Sequence, residues 1–277
     1  MIDAHQHYWH PARSDYGWMP KDEPVLSRPY APADLAPALD RVGVSSTILV
    51  QAAPTVEETE YLLGIADATP SVVGIVGWID FEDEGHRFHL ERFSRHPKFK
   101  GVRPMIQDIP DEGWMLRDDV QWAFKAISDL GLVFDALGFP QHIENFLSLF
   151  RQYPDMTVVL DHCLKPRIAD GEFDAWAEGM SALASKSGAY CKLSGLITEA
   201  APNWSVDQLR SYSDHVLRCF GAGRVMWGSD WPVCRLRGEY DDWFQASLNL
   251  TNHLSSDERA RVFGGAAAEA YRLGTPT

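Results

Sequence analysis

The chain has 277 residues, 45% hydrophobic and 23% charged, an ordinary globular composition that excludes disordered, collagen-like and coiled-coil classes. Its 25 basic and 39 acidic residues give a formal charge of −14, which repels phosphate backbones and anionic lipid and so argues against nucleic-acid and membrane partners. Four cysteines without a CxxC pair imply reduced thiols, and an N-terminus reading MIDAHQHYWH, with no basic and apolar leader, implies a cytoplasmic location. No stretch approaches the ~18 consecutive apolar residues of a membrane span.

In chain order, short runs rich in β-branched and aliphatic residues predict strands at Met1–His5, Ser46–Gln51, Val72–Ile79, Phe99–Arg103, Leu132–Leu137, Thr157–Asp161, Tyr190–Leu193 and Val225–Trp227. Runs such as STILV and TVVLD are nearly continuous in apolar character, the pattern of parallel strands covered on both faces. Helical spacing predicts helices over Val56–Asp67, Asp119–Leu130, the segment QHIENFLSLFRQ, Asp174–Lys186 and Val206–Phe220. The tail Ser255–Gly274 adds one or two short helices. Strand and helix alternate along most of the chain without hairpin signals, which predicts an α/β protein with a single (β/α)8 barrel domain over residues 1–277. An open doubly wound sheet is the alternative, and the GxGxxG expected after its first strand is missing. The long stretch Tyr8–Asp34, rich in Pro, Trp and Tyr, reads equally as an active-site lid and as a structural wrap over one mouth of the barrel.

In such a barrel the site is built at the C-terminal ends of the strands. Strand one ends in His5-Gln6-His7, strand six in Asp161-His162, and strand eight runs into Gly228-Ser229-Asp230. Residues two apart on a strand point to the same side, so His5 and His7 can share a divalent ion or simply hydrogen-bond as a buried pair. Adding His162 and Asp230 at separate strand ends favours a functional reading, because polar groups converging at one mouth need a purpose or a partner. Asp230, fixed before Trp231-Pro232, is placed to act as a general base; a helix cap is its ordinary alternative. Arg103 and Gln107 are the first choices for holding substrate hydroxyls or a carboxylate, against an ion pair of Arg103 with Asp108. Trp114 and Arg167, the latter in a loop with Lys165, are further substrate-binding candidates, and Trp9, Trp18 and Trp231 flank the same region. Lys192 reads equally as a lysine paired with an aspartate and as a catalytic group, and Asp80 and Asp135 as carboxylates that orient a histidine.

The motifs MIDAHQHYW, GVRPMIQD, LDHCLKP, CKLSGL and WGSDWP, in this order along the whole chain, resemble family 2 of the amidohydrolase superfamily. Within it the chain is most similar to the sugar-lactonase group that includes L-fuconolactonases and L-rhamnono-lactonases. The resemblance implies a hydrolase in which water attacks the carbonyl of a sugar lactone, L-fucono-lactone or a similar compound. It implies Asp230 as the base, His162 as the group that polarises the carbonyl, and either one divalent ion, zinc first, on His5, His7 and Asp230, or no metal. Strand four ends in Gly101-Val102-Arg103 and only His162 matches the later histidines, so the two-metal centre of other superfamily members is not expected. A decarboxylase, a lactone isomerase and an inactive sugar-binding barrel are the alternatives, and the chain is expected as a monomer or homodimer.

Overall fold

The computed structural model describes residues 1–274. Its eight strands are β1 (Ile2–Gln6), β2 (Ser46–Val50), β3 (Val72–Gly77), β4 (Phe99–Val102), β5 (Val133–Ala136), β6 (Thr157–Leu160), β7 (Tyr190–Leu193) and β8 (Val225–Trp227). They pair in parallel, each with the next, in the order β1 to β8. The seam between first and last strand is closed just past their ends: the Asp230 amide donates to the His5 carbonyl at 2.8 Å, and the His7 amide to the Trp231 carbonyl at 2.7 Å. The result is a (β/α)8 barrel, and the open-sheet alternative is excluded by this closure.

Surrounding it are α1 (Pro32–Val42), α2 (Val56–Ala68), α3 (Arg87–Ser94), α4 (Gln121–Asp129), α5 (Ile143–Gln152), α6 (Asp174–Lys186), the one-turn α7 (Leu196–Glu199), α8 (Val206–Phe220), α9 (Tyr240–Leu250), α10 (Ser256–Ala260) and α11 (Ala266–Ala270). The apolar strand runs serve two cores, as period-two alternation requires. Ile48, Val50, Val76, Val133, Val159 and Met226 fill the barrel interior. Leu49, Ile75, Phe134, Val158 and Trp227 face the helices. The floor of the barrel, at the strand starts, is closed by Ala266, Ala270 and Tyr271.

Helices α1, α3, α7 and α9 are not among those predicted from spacing. The first begins inside the Tyr8–Asp34 stretch with Pro32 at its first position, where the missing N–H costs nothing, and buries Leu35, Ala38 and Leu39 despite the internal Pro37. The rest of that stretch is tied down over the barrel mouth. Trp9 pairs with Tyr30 in an isolated bridge, and its indole N–H donates to the carbonyls of Leu26 and Arg28. Trp18 donates to the Ala52 carbonyl. None of the described helices is long and apolar enough to cross a membrane.

Candidate active site

Four side chains from three strand ends meet at the mouth. His5 Nε2 lies 3.1 Å from His7 Nε2 and 3.7 Å from Asp230 Oδ1. Asp230 Oδ1 lies 3.4 Å from His7 Nε2 and 3.8 Å from His162 Nε2. All four residues are buried. His7 Nδ1 donates to the Val50 carbonyl at 2.8 Å, which leaves its Nε2 facing two other electron-rich atoms. Three such atoms this close need either a proton or a cation between them. Ligands about 2.0–2.1 Å from a tetrahedral zinc stand roughly 3.4 Å apart. The spacing of His5, His7 and Asp230 therefore fits a divalent ion, with the fourth position open toward the cleft. His5, Asp161 and His162 form a second close set of donors. It shares His5, whose Nε2 already faces His7 and Asp230.

His162 stands at the start of an unusual turn. His162, Cys163, Leu164 and Lys165 all have φ between 49° and 54°, four successive non-glycine residues in the left-handed region. Each such residue costs roughly 1–2 kcal/mol, so the turn persists only because its surroundings hold it. The Lys165 amide donates to the His162 carbonyl at 2.8 Å, and the Trp176 indole to the Cys163 carbonyl at 2.8 Å. Gly195, itself at φ 69°, passes so close that a Cβ there would lie 2.9 Å from the His162 ring. The ring's Nδ1 is 2.9 Å from Ser194 Oγ, and this is the only hydrogen bond of that hydroxyl among the described residues. The ionised Asp230 facing Nε2 at 3.8 Å favours the tautomer with the His162 N–H on Nε2, in which Ser194 donates to Nδ1.

Beneath the histidines a buried polar column runs down the barrel axis. Tyr271 donates to both Asp135 oxygens at 2.9 Å. Lys192 Nζ lies 2.5 Å from Asp135 Oδ2, 2.9 Å from Asp161 Oδ1 and 3.3 Å from His5 Nδ1. Asp161 Oδ1 is 3.5 Å from the same His5 nitrogen, and its Oδ2 is 3.3 Å from Arg103. Arg103 also donates to the carbonyl and side-chain oxygens of Gln51, and the Gln51 amide returns a 2.8 Å bond to the Arg103 carbonyl.

The electrostatics follow from burial and this pairing. Burial, with Lys192 alongside, pushes His5 well below the ordinary imidazole range. Burial lowers His162 to about 4. Burial alone would raise Asp230, but His162, His7 and His5 around it outweigh that and hold it below the usual carboxylate range. Asp161 is likewise held down, burial being overcome by Lys192, His5 and Arg103, whereas burial raises Asp135 to about 6 against the pull of Lys192. At neutral pH the site thus holds an ionised Asp230 facing a neutral His162.

A cleft of about 170 Å³ opens above these groups, lined by His7, Arg103, His162 and Asp230 together with Trp9 and Trp18. Gln107 lines it too and carries a buried side-chain oxygen without a partner, free to accept from a substrate hydroxyl. The remaining sequence candidates lie elsewhere. Arg167 is exposed and paired with Glu172 at 3.5 Å, and Lys165 from the same loop lines the cleft in its place. Trp231 is buried against Tyr30, ring centroids 4.9 Å apart, and supports the wall from behind. Trp114 donates to Glu82 at 2.9 Å and lines a neighbouring groove, as does Asp80. Arg103 pairs with Asp161 and not with Asp108. Ser194 and Gln51 carry no role in the sequence expectations, and Asp161 appears there only as the strand-end neighbour of His162. Each is a polar residue directly after an apolar strand, the same signal that singles out His162.

The amidohydrolase family model Amidohydro_2 matches residues 2–273. The chain belongs to the amidohydrolase family. It is 42% identical over 282 residues to an L-fucono-1,5-lactonase of Burkholderia ambifaria, covering 100% of this chain and 97% of that protein. It is 33% identical over 293 residues to an L-fucono-1,5-lactonase of Burkholderia multivorans, covering 99% and 97%. A crystal structure of an amidohydrolase from Burkholderia multivorans with bound zinc superposes with a TM-score of 0.92 at 32% identity, over 99% of both chains. The family and the barrel implied by the sequence motifs are thereby established.

Proposed function

We propose that this amidohydrolase is a sugar lactonase that adds water to the carbonyl of L-fucono-1,5-lactone, or of an aldonolactone closely similar to it, and releases the aldonic acid. The observation that carries this reading is the convergence of His5, His7, His162 and Asp230 on one cleft of about 170 Å³, in a chain 42% identical along its length to a lactonase of that name. Pockets for drug-sized ligands run from about 300 Å³ upward, so a cleft this small suits a single ring.

Asp230, ionised at neutral pH, takes a proton from water as the oxygen attacks the lactone carbonyl. His162 Nε2–H donates to the carbonyl oxygen as negative charge develops there, and its neutral state lets it do so without repelling Arg103. The tetrahedral intermediate then collapses, and the departing ring oxygen receives the proton held by Asp230. Arg103, braced by Gln51 and Asp161, and Gln107, with its free oxygen, orient the ring hydroxyls. His5, His7 and Asp230 are the residues that would hold a divalent ion, zinc by the chemistry of two imidazoles and a carboxylate; when bound it supplies Lewis-acid polarisation and a more acidic water.

The family match over residues 2–273 supports one domain across residues 1–277. The charge of −14 supports the absence of nucleic-acid and anionic-membrane partners. Ring opening releases a proton, so a pH-indicator assay against a panel of sugar lactones tests the activity directly. Enzyme-dependent acidification with L-fucono-1,5-lactone is the expected result. A silent panel, with carbon dioxide released from an aromatic acid instead, would replace this reading with a decarboxylase.

A further inference from the structure

Beside the catalytic cleft lies a second and larger cavity of about 790 Å³ that the chemistry above does not use. Trp18 and Met105 line both spaces, so they form a common boundary. Trp18 is held in that position by its indole bond to the Ala52 carbonyl and by an edge-to-face contact with Trp9, ring centroids 5.7 Å apart. It remains 36% exposed. Trp78, half-buried, adds further aromatic surface to the groove, with the buried Phe81 behind the wall.

The polar groups of the groove are mostly acidic. Asp80, Glu82, Asp108 and Asp111 line it against one cation, Arg117. That cation is already engaged by Glu82 and Asp119. One oxygen of Asp80 accepts from the Glu82 amide at 2.8 Å, one of Asp108 from Gln107 at 3.4 Å, and one of Asp111 from the Gly113 amide at 2.9 Å. The second oxygen of each accepts nothing from the described residues and is free for a hydroxyl donor. Indole faces meet the C–H face of a sugar ring, and carboxylates are acceptor-only partners for its hydroxyls. A net negative lining repels carboxylated or phosphorylated groups.

Resting on the lactonase reading of the adjoining cleft, we propose that this groove is a subsite for a neutral pyranosyl substituent, so that the protein accepts disaccharide aldonolactones as well as single-ring ones. The lactone ring occupies the cleft at Asp230, and the attached sugar passes the boundary at Trp18 and Met105 to lie against Trp78. The cleft alone holds one ring. The shared lining at Trp18 and Met105, which makes the two cavities neighbours, and the charge of the second select the occupant.

The test compares kcat/KM for neutral disaccharide aldono-1,5-lactones linked through O3, O4 and O6, each against its own parent monosaccharide lactone, together with an analogue whose outer ring is a uronic acid. For at least one linkage the extended lactone is expected to match or exceed its parent, with the uronic analogue at least tenfold slower. In Trp78→Ala the ratio of extended to parent kcat/KM is expected to fall about tenfold, and Trp78→Phe to restore part of it, since an aromatic pair is worth about 0.5–1.5 kcal/mol beyond its area. Thermal melts of both variants check the fold. Parent lactones turned over while every extended one is much slower would overturn the subsite and leave the lactonase reading intact, as would a Trp78→Ala ratio equal to that of the wild type. Turnover of neither class would remove both.

Discussion

Lys192 Nζ and Asp161 Oδ1 stand 2.9 Å apart with both side chains fully buried, and the same ammonium holds Asp135. One cation therefore bridges two carboxylates inside a barrel, with Arg103 as a second cation on Asp161. Breaking a buried pair by removing one partner typically costs about 3–5 kcal/mol, because it strands the other charge. Lys192→Met is expected to lose about that much in a urea unfolding experiment, with Asp135 left to Tyr271 alone and Asp161 to Arg103 and His5. A loss below about 1 kcal/mol would mean that the column does not hold the barrel together.

Asp230 has φ 56°, a conformation that Asn shares readily and Ala does not. Asp230→Asn should keep the backbone and the melting temperature while kcat falls at least ~100-fold, the scale of a lost general base. Asp230→Ala should lose the same activity and also stability. Steady-state kinetics and melts on the pair separate chemistry from strain.

For the metal, elemental analysis gives the direct reading. Protein purified with zinc available is expected to hold about one ion per chain, and His7→Asn to hold none at the same free zinc. Equal zinc in both would move the ligand set away from His5, His7 and Asp230.

Gly195→Ala places a Cβ 2.9 Å from the His162 ring, and at φ 69° it also strains the backbone. The ring must move off Ser194, so kcat should fall by at least roughly tenfold while Arg103 and Gln107 still bind substrate and KM changes less. A crystal structure of the variant would show the displaced ring. An unchanged kcat would remove His162 from the oxyanion role.

Glu58 anchors the wrap over the mouth: it accepts from Tyr16 at 2.9 Å and from the Ala52 amide at 3.2 Å. Burial raises its carboxyl from 4.5 to about 7. The folded state thus favours the protonated form, so the associated stability is complete below pH 4.5 and is lost as pH rises through about 7. The loss is of the order of 3 kcal/mol at most. Urea titrations between pH 5 and 8.5 should show the wild type weakening with rising pH more than Glu58→Gln, whose amide can serve Tyr16 and Ala52 without a charge. Parallel curves would assign the slope to other groups, such as Asp3, which burial raises to about 6.

The sequence carries the barrel because the strands are short runs rich in β-branched and aliphatic residues, several of them nearly continuous in apolar character, and Thr157–Leu160 and Tyr190–Leu193 sit where the pattern puts them. Four helices escape it: α7 is a single turn, and the other three escape for separate reasons. Helix α1 contains Pro37, α3 is a short polar segment with only Leu90 and Phe93 buried, and α9 begins with Asp241 and Asp242 in its first turn. At the site, His5, His7, His162 and Asp230 are legible because strand ends are one-dimensional landmarks. The column through Asp135, Lys192 and Asp161 is only half legible. A paired lysine can be read from one strand, but its partners depend on which residues of three strands reach the same depth inside the closed barrel. Arg167 and Lys165 show the limit at loops, where two basic residues two positions apart end on opposite sides of the rim.

The seam where the Asp230 amide meets the His5 carbonyl joins residues from opposite ends of the chain. The two imidazoles of the first strand gain their carboxylate only when the eighth strand arrives, and the same pair of backbone hydrogen bonds then shuts the cylinder. A nascent chain emerging from the ribosome therefore has no working fragment at any length short of β8. Activity appears in one step with closure, and circular permutants cut anywhere except at this seam keep the junction within one continuous piece of chain.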